Sequence, residues 1–124
     1  MGNIVFTAND DGTVDAIGKQ GATWSFMIEL KDAATPPVAI DLTGYSGRGQ
    51  IRKNYTSTTI TKSFVVTIQT PPTAGKIDVL LAATDTDDIV RGSYVYDIEI
   101  YTAADVYVMR VIGGKLRVDP EVTR

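Results

Sequence analysis

The chain has 124 residues, with 44% apolar and 22% charged side chains, a length and balance that suit one globular domain. It contains no cysteine and no histidine, which excludes a disulfide framework, a thiolate metal site, and the usual general base and metal ligand near neutral pH. The formal net charge of −3 gives no overall attraction for nucleic acid or anionic lipid.

No apolar run approaches the ~20 residues of a membrane helix. The opening MGNIVFTANDD lacks the charged start and apolar run of a signal peptide, and Phe6 stands where a myristoylation motif wants Ser or Thr. The expectation is a product made in a cytosol.

In chain order, Ile4, Val5 and Phe6 are strand-like, and Asp11-Gly12 can turn them back toward Val14 and Ile17. Residues 1–20 therefore read as an edge hairpin or as an arm ordered by contact with another subunit. Residues 21–124 read as the main domain. Asn9, Asp10, Asp11 and Asp15 resemble half of a calcium loop, but the twelfth position counted from Asn9 is Gln20 and the glycine falls too early, so a polar turn is expected.

In TWSFMIELK, Trp24, Phe26, Ile28 and Leu30 alternate onto one strand face, predicting a core tryptophan rather than a sugar-binding platform. In GRGQIRK, Gly49 and Ile51 fall inside, and Arg48, Gln50 and Arg52 outside. The outer strip is a solvated strand face or a docking strip for an acidic partner. It lacks the spacing of a phosphate-binding loop.

Residues 60–69 and 76–81 pair as a hairpin with Ile68 opposite Ile77, Val66 opposite Val79, Phe64 opposite Leu81 and Thr67 opposite Asp78. A slip by one residue would spoil both faces. Thr84 is expected to cap one helical turn whose acidic residues Asp85, Asp87 and Asp88 suit its start, with Ile89 pointing inward.

The closing hairpin, folded at Ala103-Ala104, sets Ile100 against Tyr107, Ile98 against Met109, Tyr96 against Val111, and Asp97 against Arg110. Two alanines make a poor two-residue turn, so a longer loop is compatible with the pattern.

Short Val-, Ile-, Thr- and Tyr-rich runs between turn signals, with no sustained 3.6-residue period, predict an all-β sandwich or barrel. The stretches "GATWSFMIELKD", "IDLTGYSGRGQIRKNYTST", "TAGKIDVLLAATDTDDI", "GSYVYDIEIY" and "GGKLRVDPEVTR" occur in an order that resembles a family of small tailed-phage virion structural proteins, notably of cyanobacterial phages. The match covers residues 21–124 and departs at Pro36-Pro37. More loosely, it is similar to the N-terminal domain of siphophage upper baseplate proteins.

The resemblance implies an immunoglobulin-like antiparallel β-sandwich with one short helical turn, acting as a non-enzymatic tail or baseplate adaptor of a virion. It implies no catalytic residue to carry over, and no metal or cofactor is expected, because His and Cys are absent and capping accounts for the Asp clusters. The expected partners are other virion proteins and symmetric copies of the chain, with no nucleic acid and no membrane. Ile4, Val5, Phe6, Arg48, Arg52 and Lys53 are the candidate partner-binding residues. The competing readings are a capsid decoration protein and a carbohydrate-binding module, the latter requiring Tyr45, Tyr55 and Tyr101 to lie together on one face.

Overall fold

A computed structural model of the chain describes residues 3–120. Met1 and Gly2, and the residues Glu121, Val122, Thr123 and Arg124 that end the closing sequence motif, lie outside the described residues. The strands are β1 (Ile4–Ala8), β2 (Val14–Lys19), β3 (Trp24–Glu29), β4 (Ser46–Arg52), β5 (Lys62–Ile68), β6 (Lys76–Leu81), β7 (Gly92–Tyr101) and β8 (Val108–Asp119). One helix, α1 (Ala83–Asp87), joins β6 to β7, and 3-10 turns occupy Pro72–Ala74 and Ala103–Asp105. No described helix is long and apolar enough to cross a membrane.

The all-β expectation holds. All eight strands hydrogen-bond into one sheet in the order β1-β2-β8-β7-β4-β5-β6-β3. The sheet curls until its two edges meet. Phe6 on β1 touches Phe26 on β3 with ring centroids 4.7 Å apart, and the Asn3 side-chain amide donates to the Thr23 carbonyl at 2.9 Å. The interior is filled by Trp24, Ile51, Ile77, Ile98, Ile100 and Leu116, each 1% exposed or less.

The sheet is mixed, which corrects the antiparallel expectation: β2 runs parallel to β8, pairing Ala16 with Leu116 and Lys19 with Asp119. A period-2 pattern is the same in either direction, so alternation along β2 could not reveal its sense. The β1–β2 hairpin decides it. Phe6 pairs with Ala16 and Ala8 with Val14, and the reversed chain then lies along β8. Of the two readings of residues 1–20, the chain adopts the edge hairpin. Ile4 and Ala16 are buried in its own core, and no arm projects among the described residues.

The β5–β6 hairpin has the register read from the sequence, with Ile68 opposite Ile77, Thr67 opposite Asp78 and Val66 opposite Val79. Phe64 departs from it. It pairs with Gly49 on β4, so β5 starts on one side of the barrel and ends on the other. Gly49 permits this, because a Cβ there would stand 2.5 Å from the Ile98 side chain and 3.1 Å from the Phe64 ring.

The β7–β8 register differs from the expected one. Ile100 pairs with Met109, Glu99 with Arg110, Ile98 with Ile112 and Asp97 with Gly113. Two causes displace it. The connection is longer than two residues, because Ala104 and Asp105 adopt positive φ (59° and 53°) and the Thr102 amide bonds the Tyr107 carbonyl at 2.9 Å. A bulge then makes Val111 an extra residue between the pairs at Glu99 and Ile98. Tyr107 is consequently 50% exposed rather than buried.

Beyond the bulge, Gly114 faces Tyr96, whose hydroxyl donates to the Val14 carbonyl at 2.6 Å. A Cβ at Gly114 would lie 2.4 Å from that carbonyl, so glycine is what lets β2 approach β8.

Thr84 does not cap α1. Ala82 holds the N-cap position without a side-chain bond, and Thr84 lies inside the helix. The anchoring hydroxyl belongs to Thr86, which is fully buried and donates to the Ala22 carbonyl at 2.7 Å. Ile89 is fully buried, as expected. The DLTGY motif also has a structural role. Asp41 accepts bonds from the Thr43 amide at 2.9 Å and hydroxyl at 2.6 Å, and this turn sets Leu42 into the core, fully buried.

Candidate docking surface

Alternation along β1 splits the three hairpin candidates. Ile4 is 5% exposed and belongs to the core, Val5 is 65% exposed, and Phe6 is half-buried against Phe26. Only Val5 presents its whole side chain outward, so Ile4 is withdrawn as a partner-binding residue.

The strip on β4 keeps the predicted facing, with Ile51 fully buried and Arg48 and Arg52 on the outer side. Its charges are answered within the chain. Arg48 donates to Glu99, which stands opposite it on β7, approaches Asp105 at 3.4 Å, and lies over the Tyr101 ring at 4.2 Å. The bond to Glu99 raises the Arg48 pKa, countered in part by desolvation. Arg52 donates to the Ser57 carbonyl and the Gln50 side chain, both at 2.9 Å. The exposed Lys53 holds its ammonium 4.8 Å from the Tyr94 ring centroid. The strip is a row of mutually satisfied groups, not a bare cationic track. Glu99 and Asp105 are its partners that sequence order hid, since they arrive from a strand and loop about fifty residues away.

Asp97, opposite Gln50 on this face, is partly buried. Desolvation raises its pKa, Glu99 raises it further, and Arg110, Arg52 and Arg48 pull it down. A raised folded-state pKa means that ionising Asp97 disfavours the native state. That penalty is present above the raised pKa and absent below the unfolded carboxylate range. Asp97→Asn should therefore raise Tm at pH 7, with the gain over wild type shrinking to zero as pH falls through that range. A gain that grew on acidification, in melts followed by circular dichroism, would contradict this.

Several of the carboxylates singled out by sequence are engaged within the chain. Asp11 accepts bonds from the Thr13 hydroxyl at 2.6 Å and amide at 3.0 Å, which lower its pKa. Asp15 accepts from the Lys115 amide at 3.2 Å. Lys62 lies 3.2 Å from Asp88 and 3.7 Å from Asp85. Among the described residues, no three acidic side chains converge on a metal-sized point.

The tyrosines do not form one platform. Tyr45 packs edge-on to Tyr107 with centroids 6.1 Å apart, and Tyr101 lies under Arg48. Tyr55, 67% exposed, follows the other end of β4. Trp24 is fully buried and its indole N–H donates to the Lys19 carbonyl at 2.8 Å, which rules out its use as an exposed platform.

Two apolar features reach the surface. On the outer face of β3, β6 and β5, Val65 lies directly opposite Leu80, with Met27 diagonal to it; they are 60%, 41% and 49% exposed. At the seam between the sheet edges, Phe6, Val14, Phe26, Ile28, Glu29 and Ile112 line a cleft of about 470 Å³. No model of a known protein family matches the chain, and no curated protein matches it in sequence.

Proposed function

We propose that the protein is a non-enzymatic structural component of a phage virion, an immunoglobulin-like module in the tail or baseplate that docks other virion subunits. The fold-level support is the partition of strands. β3, β6 and β5 pair on one side and β4, β7 and β8 on the other, the grouping of the two sheets of an immunoglobulin domain. The Tyr94 hydroxyl at the start of β7 bonds back to the Val90 carbonyl after a helical connection, the arrangement called a tyrosine corner. The continuous β4–β5 pairing is the departure, joining the two sheets into a near-barrel.

The observation that carries the docking reading is the outward apolar group of Met27, Val65 and Leu80. A sheet whose core is already filled has no internal use for it, and apolar groups of this kind mark interaction faces. The assignment to a virion rests on the ordered sequence motifs.

The test is to purify particles of the phage that encodes the chain and to locate the protein by mass spectrometry and labelled antibody. It should be present in fixed copy number and at the tail. The Leu80→Asp variant should fold yet be missing from the particles. Absence of the wild-type protein from purified particles defeats the reading, and labelling confined to the head would transfer it to a capsid decoration protein.

A further inference from the structure

β8 is longer than the strand that covers it. It spans Val108–Asp119, but β2 pairs only with the part from Leu116 onward. Residues 108–112 have β7 on one side and, among the described residues, no strand on the other. A strand edge of this kind presents every second N–H and C=O without a partner. Beside this edge lies the seam cleft, whose apolar wall includes Ile112 of β8 and Phe26 and Ile28 of β3.

We infer that this gap receives an extended segment of another protein, which adds as a strand along residues 108–112 of β8 and sends alternate apolar side chains toward Ile112, Phe26 and Ile28. Charge selects the occupant. Arg110 is exposed on the outer face of β8 and forms no ion pair among the described residues; its side chain and that of Asp97 both lie beside Gly113, so Asp97 is its anionic neighbour without bonding it. Glu99, opposite it on β7, is engaged by Arg48. Glu29 at the far rim has Lys31 at 4.0 Å. The incoming strand is therefore one with an acidic side chain on its outward face.

A second copy fits poorly. Two copies laid antiparallel along residues 108–112 about a two-fold axis would bring Arg110 against its own counterpart near the centre, and like charges so placed repel. The cation therefore disfavours a second copy and favours a complementary strand.

This inference rests on the docking-module reading but is tested apart from it. The probes are two short capped peptides alternating valine and threonine, one with a central glutamate and one with lysine there. They are titrated into the full-length protein, with affinity read by calorimetry and amide hydrogen exchange by NMR.

The glutamate peptide should slow exchange within residues 108–112, and the lysine peptide should bind about two- to tenfold more weakly. Arg110→Glu, an exposed substitution that leaves the core intact, should reverse the preference. Equal binding of both peptides, protection confined to other strands, or no binding overturns the proposal. So does concentration-dependent dimerisation that protects residues 108–112, which would make a second copy the occupant. Failure here with the protein present in particles removes only the strand-addition site. Peptide binding by a protein missing from particles keeps the site and removes the virion assignment.

Discussion

Trp24→Ala is expected to destabilise the protein by about 3–5 kcal/mol. The indole is fully buried and packs against the backbone of Gly18, where a Cβ would fall 2.4 Å from the ring. Its N–H satisfies the Lys19 carbonyl, so one side chain ties β2 to β3 near where the two edges of the sheet come together. Truncation leaves a cavity that the facing strands cannot fill without breaking their pairing, and it leaves that carbonyl with only the longer bond from the Ala22 amide at 3.3 Å. Urea unfolding followed by circular dichroism measures the loss, since the substitution removes the chain's one tryptophan. A cost below about 1 kcal/mol would mean that the seam is held elsewhere.

Ile98→Ala is expected to cost about 2–5 kcal/mol, whereas Tyr107→Ala should stay within about 0.5 kcal/mol of wild type. The contrast follows from the β7–β8 register. Ile98 is fully buried, paired with Ile112, and lies over Gly49, while Tyr107 stands half in solvent at the loop. In the hairpin folded at the two alanines, Tyr107 would be a core residue and its removal as costly as that of Ile98. Equal losses for the two variants would restore that tighter hairpin.

The candidate docking residues divide in the same way. The facing of Arg48 and Arg52 was legible because alternation along one strand needs no knowledge of its neighbours. Their neutralisation was not, because Glu99 and Asp105 become neighbours only when β4 pairs with β7. Ile4 was misplaced because three apolar residues in a row do not state which of them alternation will turn inward until β2 is laid beside them.

The sequence by itself determined the all-β class, the inward face of β3 with its tryptophan, and the β5–β6 register. In each case a strong period-2 pattern, or two short patterns matched across a tight turn, permits one arrangement and penalises a one-residue slip on both faces. The tertiary structure decided the parallel run of β2 along β8, the closing of the sheet on itself, the burial of Leu42 and the shifted end of the last hairpin. Strand direction leaves no mark on a period-2 pattern. A turn with positive φ at Ala104, a residue that seldom adopts it, leaves none either. The bulge at Val111 sets Gly113 and Gly114 opposite Asp97 and Tyr96, and Gly114 is where Val14 approaches β8, a contact with a strand about one hundred residues earlier in the chain.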